Sequence, residues 1–161
     1  MSSITIRHAT PEDVALLAEL IHSLAAYERM SDVCKTTPEA LALHLFGTRP
    51  AAEALIAEYD GAPEGFALFF TTFSTFLGKP GIYLEDLFVK SDSRGLGIGK
   101  ALLLHLVQLA NERGCGRVEW AVLNWNESAI GFYKKLGAKP MTEWTVYRLS
   151  EDSISDLTGG R

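Results

Sequence analysis

At 161 residues, the chain fits one domain, 1–161, able to bury roughly 70% of its unfolded surface without disulfide or metal staples. Its 47% hydrophobic and 22% charged residues are ordinary for a globular protein, and a formal net charge of −5 argues against general nucleic-acid binding, which asks for a basic face. Met1-Ser2-Ser3-Ile4-Thr5 has neither a basic nor an apolar leader region, no apolar run approaches ~20 residues, and Cys34 and Cys115 have no His or Cys at metal-ligand spacing, so the expectation is a cytoplasmic chain with reduced thiols, no metal and no membrane span.

In chain order, Ile4 to Arg7 is a short β-branched run and reads as a first strand. Thr10-Pro11-Glu12-Asp13 supplies an N-cap, a proline at the first helical position and acid in the first turn. Val14, Leu17, Leu20, Ile21 and Leu24 follow at helical spacing and predict a helix to about Tyr27. Thr37-Pro38-Glu39 repeats that start signal for a shorter helix, Ala40 to Phe46. Ala54 to Tyr59 and Gly65 to Phe73 read as strands around a turn at Asp60-Gly61-Ala62-Pro63, and Ile82 to Val89 as a third, strong strand. Gly99 to Arg113 is expected to be helical, with Leu102, Leu103, Leu106 and Leu109 or Ala110 inward and Gly114 as the stop. Arg117 to Val122 reads as a strand, Asn126 to Leu136 as a helix closed by Gly137, and Trp144 to Leu149 as a last strand; from Ser150 the chain turns polar and is expected to fray. Strands and helices interleave without repeat, linker or low-complexity block, which gives an α/β or α+β domain.

The sharpest chemical signal follows the Ile82–Val89 strand. Lys90-Ser91-Asp92-Ser93 leads into Arg94-Gly95-Leu96-Gly97-Ile98-Gly99-Lys100, which opens a helix. Alternate glycines let the backbone approach a ligand, and the helix start behind them offers free N–H donors and a positive dipole end, an anion site suited to a pyrophosphate. A dinucleotide fingerprint begun at Gly95 would need glycine or alanine at Lys100, and a P-loop ending at Gly99-Lys100 would need glycine at Arg94 and Ser or Thr at Ala101. Neither holds, and Arg94-x-x-Gly97-x-Gly99 remains.

That pattern resembles the acetyl-CoA loop of the Gcn5-related (GNAT) N-acetyltransferases. Tyr83-Leu84-Glu85-Asp86-Leu87-Phe88-Val89, Trp125-Asn126-Glu127-Ser128-Ala129-Ile130-Gly131-Phe132-Tyr133-Lys134 and Leu24-Ala25-Ala26-Tyr27-Glu28 look like the diamine (spermidine/spermine) branch of that family, and the similarity runs in order from about Ile4 to Leu149. The resemblance implies a single mixed, mostly antiparallel sheet flanked by helices, acetyl-CoA as co-substrate, a small amine as acceptor and a homodimer. It also implies coenzyme contacts from Leu87, Phe88 and Val89, from Arg94, Gly95, Gly97, Gly99 and Lys100, and from Asn126 and Tyr133.

Acetyl transfer from a thioester needs an amine stripped of its proton, because an ammonium (pKa about 10.4) has no lone pair. It also needs a fixed approach to the carbonyl, a donor for the oxyanion and a proton for the departing thiolate. The resemblance gives the last role to Tyr133, the oxyanion donor to a backbone N–H in Leu87–Val89, and the base to Glu85, acting through water. Glu85 and Asp86 interrupt an apolar strand, and since neighbouring strand residues face opposite sides, one of them faces the cleft either way. Asn126 also suits a helix N-cap. Tyr27 and Glu28 at the end of the first helix, with Glu85 and Asp86, would form an acidic, partly aromatic acceptor pocket. Polyamine enzymes of the family carry Asp-Pro-Trp before this strand; Ser74-Thr75-Phe76 stands here and, with Ala121 to Asn126, looks closer to the branch that acetylates thialysine. A short diamine or lysine analogue is therefore the expected acceptor. A non-catalytic acyl-CoA-binding module and a protein acetyltransferase are the alternatives. His8, His22, His44 and His105 share no metal spacing, and Trp120, Trp125 and Trp144 read as core or interface aromatics.

Overall fold

The computed structural model describes residues 1–159, and the packing divides the chain at Leu123/Asn124 into two compact units. The first contains β1 (Ile4–His8), α1 (Val14–Tyr27), α2 (Pro38–Phe46), β2 (Glu53–Tyr59), β3 (Ala62–Ser74), β4 (Lys79–Val89), α3 (Ile98–Glu112) and β5 (Val118–Trp120). The strands form one sheet in the order β1-β2-β3-β4-β5, antiparallel throughout except for the parallel β4–β5 pair.

Helices cover both faces of this sheet because its central strands alternate between two buried sides. Leu17, Leu20 and Leu24 of α1 and Leu41 and Leu45 of α2 pack on Ala54, Ile56, Phe66 and Phe88. Leu55 and Ala57 of β2 are equally buried on the opposite parity, where α3 brings Ile98, Leu102, Leu103, Leu106 and Ala110. Each fully buried Leu, Ile or Phe contributes roughly 1.5–3 kcal/mol relative to an exposed one. Ahead of α1 the start signal folds as a 3-10 turn, Pro11–Asp13, in which Asp13 accepts the Thr10 N–H at 2.7 Å and a forked pair of bonds from Arg7 at 2.8 and 3.0 Å.

The β2–β3 turn is tighter than the sequence suggests. Asp60 (φ 50°) and Gly61 (φ 84°) alone make it, in the conformations of a type I′ hairpin, while Ala62 and Pro63 already belong to β3. Pro63 fits there because the ladder is irregular between Ala57 and Glu58.

The second unit starts at Asn124 and holds α4 (Glu127–Lys135) and α5 (Glu151–Leu157). Gly137 closes α4 as the sequence suggests, with the Ala138 N–H bonded to the Tyr133 carbonyl at 3.2 Å. The strand expected at Trp144–Leu149 does not form. A strand is held by a ladder and a buried face, yet Trp144 and Val146 on one parity are 74% and 88% exposed, and Tyr147 on the other is 92% exposed. The polar segment expected to fray is helical over Glu151–Leu157, with the Ser150 side chain accepting the Ser153 N–H at 3.2 Å. The strand expected over Arg117–Val122 shortens to Val118–Trp120.

Candidate functional site

Three features of the first unit meet around the C-terminal half of β4. The first is an opening in the sheet. β4 pairs with β5 at Ile82, Tyr83 and Leu84, whereas its ladder with β3 continues to Val89. The β3–β4 register slips between Leu68 and Phe69, which places Glu85 as the extra residue of a bulge, since Leu68 opposes Asp86 and Phe69 opposes Leu84. Beyond it, the Lys90 N–H bonds the Glu64 carbonyl on the β3 side at 2.9 Å. Strand alternation therefore turns the N–H groups of Leu87 and Val89 away from β3, toward the side where β5 has ended.

The second feature is the glycine loop. After a 3-10 turn at Ser91–Ser93, Gly95 (φ 81°) and Gly97 (φ 86°) both take the left-handed conformation that side chains resist. A Cβ at Gly95 would meet nothing within 4 Å, and one at Gly97 only Ile4 Cδ1 at 4.0 Å, so the loop's outer face is open. Gly99 has ordinary geometry, and a Cβ there would touch Val89 Cγ2 at an ordinary 3.7 Å. Gly97 is also the N-cap of α3 and has no side chain to occupy the first-turn N–H groups, which leaves them to a ligand. Arg94 and Lys100 are exposed beside it. The residues present fit an anionic coenzyme's pyrophosphate.

The third is a cleft of about 140 Å³ between the end of α1, the segment after it and β4. Asp86 and Glu28 supply its carboxylates; Ile21, Leu24, Met30, Val33 and Cys34 supply most of its apolar wall. Burial, then the nearby charges of Glu85 and Glu28, push the Asp86 carboxyl up to about 7, and burial also raises that of Glu28. Such a carboxylate accepts a proton readily near neutral pH. From Asp86 to Val89, at the root of the glycine loop, is about 10 Å along the strand.

Of the sequence-derived acceptor set, Glu28 and Asp86 share the cleft. Glu85 is exposed at the bulge and does not line it, and Tyr27 turns to the glycine loop instead, its ring 4.5 Å from the Arg94 guanidinium carbon. Ser74-Thr75-Phe76 is not near the cleft. It forms the β3–β4 hairpin tip, with the Leu77 N–H bonded to Ser74 Oγ at 3.1 Å and Phe76 99% exposed, and β4 from Lys79 to Asp86 separates it from the cleft by roughly 20 Å. Met30, Val33 and Cys34 carry no motif signal, and only the fold brings them to the site.

In the second unit, Asn126 is buried and caps α4, its Oδ1 accepting the Ala129 N–H at 3.2 Å. Tyr133 is half-buried on the same helix with its ring 5.5 Å from that of Phe132. Trp125 and Trp144 are exposed and Trp120 only half-buried, so none of the three tryptophans is a core residue. Among the described residues no group of three or more His, Cys, Asp or Glu is placed to hold a metal, and no helix is long and apolar enough to cross a membrane.

Comparison with known proteins gives a consistent picture. Residues 17–138 match the family model described as Acetyltransferase (GNAT) family. The chain is 36% identical to a thialysine N-epsilon-acetyltransferase of Sus scrofa, with 99% of each chain covered. It is 32% identical to an L-ornithine N5-acetyltransferase of Arabidopsis thaliana, over 94% of this chain and 86% of that one. Among solved structures, an integron cassette protein from the mobile metagenome of V. cholerae superposes with a TM-score of 0.82 at 28% identity, covering 97% of this chain and 98% of that one.

Proposed function

Because the chain belongs to the GNAT acetyltransferase family and is an N-acetyltransferase, we propose that it moves the acetyl group of acetyl-CoA to the terminal amine of a small cationic acceptor. A short diamine or an amino acid with a side-chain amine is the preferred class. The observation that carries this reading is the Glu28–Asp86 cleft, about 10 Å up β4 from the root of the glycine loop. Two carboxylates attract an ammonium, and the apolar wall suits a methylene chain. The names of the thialysine and ornithine relatives support the same class.

In this reading the first-turn N–H groups of α3, with Arg94 and Lys100, hold the pyrophosphate. The N–H of Leu87 or Val89 donates to the thioester oxygen as it becomes an oxyanion. Asp86 takes the ammonium proton, with Glu85 assisting through water. The freed nitrogen attacks the carbonyl carbon, the C–S bond breaks, Tyr133 protonates the departing thiolate, and the second proton shed by the nitrogen restores the Tyr133 hydroxyl through solvent. One amide and one thiol form, and the proton held by Asp86 is released to solvent.

A thiol-release assay with acetyl-CoA tests this against ornithine-like amino acids, short diamines, spermine and a lysine-containing peptide. We expect kcat/KM at least tenfold higher for the best short acceptor than for spermine or the peptide. The highest value on spermine or on the peptide would overturn the proposed acceptor class.

A further inference from the structure

We propose that Tyr27 is a positioning residue for Arg94 of the glycine loop and not an acceptor contact, an inference that rests on the coenzyme role proposed for that loop. Tyr27 is the last residue of α1, and its ring lies 4.5 Å from the Arg94 guanidinium carbon. The ring of Phe88 lies 5.6 Å from the same carbon. Arg94 Nε donates to the Val89 carbonyl at 3.1 Å. Two aromatic faces and one carbonyl thus fix an otherwise exposed, flexible side chain. Of the three guanidinium nitrogens of Arg94, only Nε has a hydrogen bond to a described residue, so the two terminal nitrogens keep the forked face with which arginine meets a phosphate.

The arrangement separates two neighbours in sequence. Glu28 lines the acceptor cleft, whereas Tyr27 does not. One helix end thereby serves both substrates, with the carboxylate on the amine side and the ring on the coenzyme side. A guanidinium paid in advance for its ordering loses less entropy when it meets the phosphate. Removal of a cation–π partner at a half-exposed site is expected to weaken coenzyme binding by about 3–30-fold.

Calorimetry with coenzyme A on the full chain, with Tyr27→Phe, Tyr27→Ala, Arg94→Ala and the Tyr27→Ala/Arg94→Ala double variant, tests the role alongside acceptor KM at saturating acetyl-CoA. Tyr27→Ala should raise the coenzyme Kd about 3–30-fold, Tyr27→Phe should stay within about twofold because the ring remains, and acceptor KM should change less than about threefold. In the Arg94→Ala background Tyr27→Ala should add less than about twofold, since the partner is already gone. An unchanged coenzyme Kd in Tyr27→Ala, a rise confined to acceptor KM, or an equal effect with and without Arg94 would each overturn the positioning role while leaving the proposed function standing. Failure of the wild-type chain to bind coenzyme A would overturn the coenzyme role of the loop and this inference with it.

Discussion

A carboxyl group as enclosed as that of Asp86 ionises late, because its charge must be held away from water and beside Glu85 and Glu28. If Asp86 takes the amine proton, the active form is the ionised one, so kcat/KM should rise as pH increases through about 7 and again as the free amine itself deprotonates near about 10. Asp86→Asn keeps the shape and removes the acceptor; it should lower kcat/KM by about 10²-fold or more and erase the rise near neutrality. A profile in Asp86→Asn that still rises through that region would assign the group elsewhere. Tyr133 belongs to the same scale. Tyr133→Phe keeps the ring and its contact with Phe132, so a fall of about 10²-fold in kcat with little change in KM is expected from loss of the proton donor. A kcat within about threefold of wild type, with chemistry rate-limiting, would leave Tyr133 a packing residue. The carboxylate pair was legible in the sequence because two acids interrupt an apolar strand, but its geometry was not. Alternation puts one of the two in the cleft without saying which, and the register slip opposite Leu68 and Phe69, which changes the parity of β4 between Leu84 and Asp86, is not visible in the sequence.

In the proposed function, the element that would tie coenzyme to fold is the turn from β4 into α3. Its glycine spacing was readable because left-handed backbone at Gly95 and Gly97 leaves few alternatives to glycine, and the structure keeps both there. Gly97→Val places a β-branched residue at φ 86° and should cost about 1–2 kcal/mol or more, lowering Tm by several degrees. Below that Tm the folded variant should bind coenzyme A at least tenfold more weakly; wild-type affinity would show that the loop does not hold the coenzyme. The helices α1, α2 and α3 were legible because each has a start signal or glycine stop together with leucines at helical spacing. Trp144–Leu149 misled for the opposite reason. Aromatic and β-branched residues show strand propensity, but a strand exists only with a neighbour to share its ladder, and no local pattern reveals that. The hairpin tip at Ser74–Phe76 shows a related limit, since its place in the chain, just before β4, puts it at the end of that strand far from the cleft.

At the scale of the whole chain, the interleaved pattern gives an α/β or α+β class, the resemblance implies the single mostly antiparallel sheet, and the structure has that sheet with five of the six strands read from the sequence. What the pattern could not give is the cleft, because Met30, Val33 and Cys34 reach it only through the path of the chain between α1 and α2. The account as a whole stands on one chemical event, acetyl transfer to the terminal amine of a small acceptor. The most direct measurement is to incubate the chain with acetyl-CoA labelled in the acetyl carbonyl and an ornithine-like amino acid, and to identify the labelled product by NMR. The account predicts the label in an amide on the side-chain nitrogen, with one thiol released for each amide formed. Thiol release that yields only labelled free acetate, or no labelled amide on any small amine while a peptide in the same incubation becomes acetylated, would contradict it.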